Sequence, residues 1–147
     1  MMKRHFTASV YVVKDDKVLL VHHKKLNLWL PLGGHIEEDE TPEMALEREA
    51  MEEAGISIEI LGERDKMAKD GKVDVLLTPN HMLLEDIDEK HQHIDLVYLA
   101  RTKDDDIKLK EDEHHDIKWF SAEEIPTLIT TQNVKHFGVK SIREMSA

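Results

Sequence analysis

The chain has 147 residues, of which 40% are hydrophobic and 35% charged, a composition typical of a folded globular protein and not of a disordered one. Its 31 acidic and 20 basic residues give a net charge of −11 at pH 7, which argues against unspecific binding to nucleic acid or to an anionic membrane. The absence of cysteine excludes disulfides, thiolate catalysis and cysteine-ligated zinc. The length predicts one domain over residues 1–147.

The N-terminal segment, MMKRHFTASVYVVKDD, lacks the uninterrupted apolar core of a signal peptide. No run in the sequence approaches the ~18 apolar residues of a transmembrane helix. These features, with the missing cysteines, are compatible with a cytoplasmic protein that has no membrane partner, and we take that location as the expectation.

The first part of the chain predicts a β-hairpin. Residues 7–13 and 18–23 are rich in β-branched side chains, and the polar residues 14–17 between them are typical of a tight turn. A polar loop over residues 22–27 then leads to the segment Trp29-Leu30-Pro31-Leu32-Gly33-Gly34.

A helix is predicted over residues 42–54, because Thr41 suits an N-cap, a proline follows it and Gly55 is placed to end the helix. At about 100° per residue, Glu49, Glu52 and Glu53 fall on one arc beside an apolar one. Like charges four residues apart destabilise a helix, so this face is expected to hold a cation. Hard carboxylate oxygens suit Mg²⁺ or Mn²⁺.

The rest of the chain predicts more strands and a closing helix. Strands are predicted over residues 56–61, 94–102 and 117–121, with a short apolar run at 73–77 and a charged connector at 85–90. Ser121 and Glu124 have the spacing of a capping box for a short helix stopped by Pro126. A last helix is predicted from Asn133 to about Met145. Strands interleaved with two or three helices indicate an α/β domain with a mixed sheet.

The segment around the first helix carries a specific motif. Gly34 is followed after five residues by Glu40, and after seven more by Arg48-Glu49-Ala50-Met51-Glu52-Glu53-Ala54-Gly55-Ile56. This pattern over residues 34–56 resembles the Nudix box at every fixed position. The resemblance implies an α/β/α sandwich and a divalent cofactor, Mg²⁺ or Mn²⁺. It also implies hydrolysis of the pyrophosphate linkage of a nucleoside diphosphate derivative.

The resemblance further implies a metal site. Glu49 and Glu53 are the expected primary ligands, and Glu52 is a further ligand, direct or through water. The backbone carbonyl of Gly33 is expected to complete the coordination, and the Gly-Gly pair is expected because a side chain would block that approach.

Arg48 and Glu40 are expected to orient the metal-binding carboxylates, with a weak surface salt bridge as the alternative for Arg48. The family often adds an acid from a loop ahead of a late strand. Glu113 is the first choice for that ligand or general base and Glu111 the second, while a solvated acidic loop explains either one equally well. The expected catalytic residues are thus Glu52, Glu53, Arg48 and Glu113.

Three residues that are not fixed positions of the motif are candidates for substrate contact. His35 follows the Gly-Gly pair and could reach a phosphate. Trp29 could stack on a base, although an aromatic side chain before a buried turn more often lies in the core. Asn133 could read a purine edge, or it could simply cap the last helix.

Ten histidines raise the question of a second metal site. His91 and His93 would share one face of a strand and could join His114 and His115 in a zinc site, but nothing in the sequence supplies the rest of one. Exposed or pyrophosphate-contacting histidines are the favoured interpretation.

The leading substrate expectation is a nucleoside triphosphate, as in MutT-type enzymes of the family. Asp70 stands where ADP-ribose-cleaving members tend to carry proline, and no tyrosine lies between Tyr11 and Tyr98, where dinucleoside polyphosphate enzymes tend to have one. A nucleotide-sugar or dinucleotide pyrophosphatase, a non-catalytic nucleotide sensor and a plain metal-binding protein are the alternatives. The expected partner is a small nucleotide, and monomer and homodimer are both left open.

Overall fold

The computed structural model describes residues 1–146, which form eight strands, two α-helices and two single turns of 3₁₀ helix. The strands are β1 (Lys3–Lys14), β2 (Lys17–His23), β3 (Leu28–Leu30), β4 (Leu32–His35), β5 (Glu59–Leu61), β6 (His81–Asp88), β7 (His91–Arg101) and β8 (His114–Ser121). The helices are α1 (Pro42–Ala54) and α2 (Gln132–Ser146), and the 3₁₀ turns cover Lys66–Ala68 and Ile125–Thr127. None of these helices is both long enough and apolar enough to cross a membrane.

Strand β1 is the centre of the sheet. It pairs antiparallel with β2 and β4, and parallel with β7, from Lys3 opposite His91 to Val13 opposite Arg101. Strand β2 also pairs with β3 and β8, while β7 also pairs with β5 and β6. The predicted mixed sheet is confirmed.

Side-chain alternation along β1 feeds two separate cores. Val10 and Val12 pack on one face of the sheet with Ala50 of α1. Tyr11 packs on the other face with Val134 of α2. Each face is therefore covered by one α-helix, which confirms the α/β/α sandwich.

Helix α1 has the predicted bounds because local signals fix both ends. The side-chain oxygen of Thr41 accepts a hydrogen bond from the N–H of Met44. Gly55 ends the helix in the left-handed conformation, at φ 66°, and its N–H reaches the carbonyls of Ala50 and Met51. The helix therefore presents its carboxylates from a well-defined frame.

The β1–β2 hairpin is also confirmed, with longer strands than predicted. Lys14 pairs with Lys17 across a two-residue turn. Asp15 and Asp16 have φ of 49° and 60°, the left-handed conformation that a tight hairpin of this length requires.

Several predictions for the second half are wrong in kind or extent. Residues 85–90 are predicted as a charged connector, but they lie largely in β6. Pairing with β7 gives their backbone N–H and C=O groups hydrogen-bond partners, and this does not depend on the side chains. The strand at 56–61 shrinks to β5, and the apolar run at 73–77 contributes only an isolated bridge between Asp70 and Val73. Pro126 does not end a preceding helix but lies inside a 3₁₀ turn, although Ser121 and Glu124 do form the reciprocal capping bonds.

Candidate active site

The Gly33-Gly34 pair is required by the close approach of β4 to its neighbours. A side chain on Gly33, at φ 150°, would clash with the carbonyl oxygen of Ala8 on β1. A Cβ on Gly34 would lie 2.6 Å from Oε1 of Glu49 on α1. The reason expected from the sequence, a clear path to a metal ion, is therefore not the one that the packing gives. The glycines let α1 bring its carboxylates against the sheet.

Glu53 is the least exposed carboxylate of α1, at only 4% exposure. The N–H of Gly33 donates to its Oε1 at 2.9 Å. Nε2 of His114 lies 3.2 Å from its Oε2. Both oxygens are thus engaged, so the carboxylate has little freedom to turn.

Arg48 links the remaining carboxylates of the site. Its guanidinium donates to both oxygens of Glu40, at 2.7 and 2.9 Å, in a bidentate pair. The same group donates to Glu49 at 2.9 Å, to Glu52 at 3.2 Å and to the carbonyl oxygen of His35 at 3.1 Å. Arg48 therefore has the contacts needed for the orienting role expected from the sequence.

The buried Glu53 and the partly buried Glu49 lie close enough to repel each other. Burial first, and then the charge of Glu53, raise the pKa of Glu49 to about 7. The hydrogen bond and charge of Arg48 oppose that rise. In turn, the hydrogen bond to Glu40 raises the pKa of Arg48 further above its usual range. A second positive charge beside Glu49 and Glu53 would relieve this repulsion.

An open cavity of about 620 Å³ lies beside these carboxylates. Seven acidic residues line it: Glu37, Glu49, Glu53, Glu85, Asp86, Asp95 and Glu113. No lysine or arginine within residues 1–146 does so. The cavity is large enough for a small organic ligand but has no fixed cationic side chain to receive an anionic one.

The donor chemistry of this site fits Mg²⁺ or Mn²⁺, both of which prefer oxygen ligands. Glu49 and Glu53 supply adjacent carboxylate oxygens whose mutual repulsion a divalent ion would relieve. Within the described residues, no group of three or more His, Asp or Glu side chains is already arranged to hold a metal ion. Glu52 is turned to Arg48 instead, and 46% of its side chain is exposed.

Two of the four candidates for substrate contact or general base, His35 and Glu113, line the cavity with side chains that make few other contacts. His35 is exposed, with its ring 4.9 Å from that of His93. The side chain of Glu113 is 52% exposed and, within residues 1–146, is bound only by Lys110, at 3.1 Å. Both are placed where a ligand in the cavity could reach them.

The other two candidates are revised by the structure. Trp29 packs on Phe120 and His22, with ring centroids 4.8 and 5.0 Å away, and is not among the cavity residues. These contacts favour the core alternative. Asn133 is the second residue of α2, so the N-cap alternative for it is wrong. Its side chain lines the cavity, which leaves substrate contact as the prediction.

The sequence did not identify His114 as part of the site. The sequence predicts an exposed or phosphate-contacting histidine at this position, yet His114 is 2% exposed and lies against Glu53. Its other nitrogen, Nδ1, is buried without a hydrogen-bond partner in the described chain. No local signal in the sequence marks it, because its position depends on the pairing of β8 with β2.

The zinc site imagined from the histidines is not formed in residues 1–146. His114 is committed to Glu53, while His93 lies near His35 and His5, with ring centroids 4.9 and 6.4 Å away. The strands thus bring together a different set of histidines from the one that the sequence suggested.

Comparison with known proteins gives consistent results. A family model described as the NUDIX domain matches residues 3–139. The crystal structure of a NUDIX-family hydrolase from Clostridium perfringens is 37% identical, with a TM-score of 0.88 over 98% of this chain and 99% of that one. A probable DHNTP pyrophosphohydrolase of Lactococcus lactis subsp. cremoris is 31% identical over 105 residues, or 71% of this chain and 58% of that protein.

The NUDIX domain of Shewanella oneidensis NrtR, solved in complex with ADP ribose, shares the fold at 19% identity. Its TM-score is 0.65, and the match covers 100% of this chain and 90% of that one. The family model and the Clostridium structure extend over nearly the whole sequence, well beyond the box at residues 34–56. The chain therefore belongs to the NUDIX family.

Proposed function

We propose that the protein hydrolyses the pyrophosphate linkage of a nucleoside diphosphate derivative with Mg²⁺ or Mn²⁺ as cofactor. Nudix hydrolases generally use divalent metals. The Lactococcus relative is named as a probable pyrophosphohydrolase, which supports the same reaction class. The leading substrate is a nucleoside triphosphate, cleaved to a monophosphate and pyrophosphate.

The acidity of the cavity carries the proposal. Seven carboxylates line it, and among the described residues neither lysine nor arginine does. Phosphate chains are polyanions, and like charges repel strongly in a partly desolvated site. A phosphate chain can therefore enter only together with cations that neutralise these carboxylates.

The three glutamates on one face of α1 have defined parts in this proposal. Glu49 and Glu53 hold the cation, with Glu52 and the carbonyl of Gly33 as further donors. The cation supplies charge neutralisation at the phosphoryl oxygens and activation of water. Glu53 is suited to this task because the N–H of Gly33 and the ring of His114 fix its two oxygens before the cation arrives.

The residues around this centre position it and handle protons. Arg48, gripped by Glu40, restrains Glu49 and Glu52. Glu113 lines the cavity from the loop before β8 and is the proposed general base, taking a proton from the water that attacks phosphorus. His35 and Asn133 contact the substrate.

A hydrolysis screen tests the proposal. The purified protein is incubated with nucleoside triphosphates, nucleotide sugars, dinucleotides and DHNTP in Mg²⁺ buffer, and products are separated chromatographically. We expect a triphosphate to give monophosphate and pyrophosphate, an excess of chelator to stop the reaction, and added Mg²⁺ to restore it. Full activity after metal stripping contradicts the proposal, and nucleotide binding without turnover would indicate a sensor.

A further inference from the structure

The wall of the cavity away from α1 carries a second pair of acidic side chains. Asp95 of β7 is 5% exposed, and the hydroxyls of Thr7 and Ser9 on β1 donate to it. The Thr7 bond is 2.9 Å long, and Ser9 lies 2.8 and 3.0 Å from the two oxygens. Glu85 of β6 is a diagonal neighbour of Asp95, since it pairs with His93 two positions earlier on β7.

These contacts give the two acids different parts. Asp95 accepts hydrogen bonds from both hydroxyls and acts as an anchor. Glu85 is less buried, lines the cavity and is within side-chain hydrogen-bonding reach of Asp95. Burial, followed by the charge of Asp95, raises the pKa of Glu85 to about 7, so the pair shares a proton near neutral pH. The carboxyl oxygens of Glu85 that face the cavity are hydrogen-bond acceptors.

The acidic pair lies two strands away from the catalytic carboxylates. Gly33 of β4 donates to Glu53 and is opposite Ser9 of β1, which in turn contacts Asp95 of β7. Two strand spacings amount to roughly 10 Å. A nucleotide whose phosphates lie at Glu53 therefore places its base at this wall. The negative charge of the acidic pair would repel a phosphate there.

We propose that Glu85, positioned by Asp95, selects a base that presents two adjacent N–H donors, as the amino-lactam edge of guanine does. A carboxyl group can accept two such donors side by side. Adenine would turn a ring-nitrogen lone pair toward the same acceptors. Leu83 and Val97 line the same wall and offer apolar contact to a flat ring. This inference rests on the proposed function, because it requires a nucleotide in the cavity.

The test compares kcat/KM for GTP, ITP and ATP in Mg²⁺ buffer, because ITP differs from GTP only by the missing 2-amino group. We expect the wild-type protein to prefer GTP over ITP by about 10- to 100-fold, the cost of losing one well-placed hydrogen-bonding edge. Glu85→Gln should bring this ratio to within a few-fold of one, because the amide keeps one acceptor oxygen and points a donor at the base. Glu89→Gln, the same substitution at an exposed position outside the cavity, should leave the ratio unchanged.

Asp95→Asn should lower the ratio as well, and its thermal melting curve shows whether the variant is folded. If Asp95→Asn does not fold, Glu85→Gln decides alone. Equal kcat/KM for GTP and ITP in the wild type, or an unchanged ratio in Glu85→Gln, overturns this inference and leaves the hydrolase proposal standing. Failure to cleave any triphosphate would instead remove the leading substrate of the proposed function, on which the inference rests.

Discussion

The three glutamates expected to bind metal are held in different ways in the structure. Glu53 is buried and fixed at both oxygens, Glu49 is partly buried beside it, and Glu52 is largely exposed and bound to Arg48. A carboxylate that is already fixed loses little freedom when a ligand binds, so Glu53 should contribute most to the site.

The first prediction compares Glu53→Gln with Glu47→Gln. Glutamine keeps the shape of glutamate but not its charge, so Glu53→Gln should lower kcat by about 10²-fold or more, on the scale of one preorganised electrostatic contact. Glu47 is exposed and has no contact with the site, so its variant should keep wild-type activity and Mn²⁺ affinity. The measurements are kcat at saturating Mg²⁺ and Mn²⁺ titration. Equal damage from both changes would mean that the metal face is wrongly assigned.

The second prediction concerns the loop before β8. If Glu113 is the general base, Glu113→Gln should lower kcat by about 10²-fold or more, with a smaller effect on metal affinity. Glu111 is also exposed but does not line the cavity, so Glu111→Gln is the matched control and should change kcat little. Small and equal decreases in kcat in both variants would indicate that this is an acidic loop in contact with solvent and without a catalytic role.

The third prediction concerns stability and pH at Glu85. Its pKa is raised from 4.5 to about 7, so the folded state binds this proton more tightly than the unfolded state does. The resulting stability is complete below the ordinary pKa and is lost as pH rises through about 7. Asp95, His93 and Tyr11 face this carboxyl from β7 and β1.

Between pH 5 and 8, metal-free wild-type protein should therefore lose roughly 1–2 kcal/mol more stability than Glu85→Gln does. Urea denaturation at several pH values measures this difference. Parallel stability curves for the two proteins would show that the acidic pair does not hold a proton in the folded state.

Among the secondary-structure elements, α1 ends at a residue whose left-handed backbone conformation favours glycine, and this can be tested by substitution. Gly55 is at φ 66°, and a Cβ there would lie 3.3 Å from the Cβ of Lys108. Gly55→Ala should therefore destabilise the metal-free protein by about 1–2 kcal/mol. Gly71 has open space where its Cβ would be, so Gly71→Ala is the control and should change stability little. Denaturant unfolding of both variants gives the comparison, and equal stabilities would contradict it.

Local signals were enough to predict α1, and they were not enough for β6. Thr41, Pro42 and Gly55 act within a few residues, so the helix bounds follow from the sequence. Strand β6 exists because β7 supplies its hydrogen-bonding partners. Its run of acidic residues, Glu85 and Asp86 among them, looks like a solvated connector when β7 is not considered.

The same distinction divides the candidate site. The motif placed Glu49, Glu52, Glu53 and Arg48 together, and the structure brings them together on α1. His114 and Asp95 were missed because their burial arises from pairing between distant strands. A histidine after an acidic loop, or an aspartate within an apolar strand, carries no local sign that it will be enclosed.

At the scale of the whole molecule, charge dominates the response to metal. The net charge is −11, and seven carboxylates line one cavity. Mg²⁺ should therefore raise the melting temperature, by an amount equivalent to about 2–3 kcal/mol at a hundredfold excess over Kd. Chelation should not unfold the protein, because both cores are built without the metal. Scanning fluorimetry at constant ionic strength tests this, with Glu53→Gln as the control that should lose most of the shift.

The parallel pairing of β1 with β7 also constrains how the chain can assemble during synthesis. Their contacts join residues 88 positions apart, whereas β2 and β4, the other neighbours of β1, leave the ribosome much earlier. Contacts between such distant segments form late, because closing a long loop costs conformational entropy before the new contacts can stabilise it. Until β7 emerges, one edge of β1 is unpaired and able to bind other chains. The nascent protein is therefore most vulnerable to aggregation after its motif helix is complete and before its sheet can close.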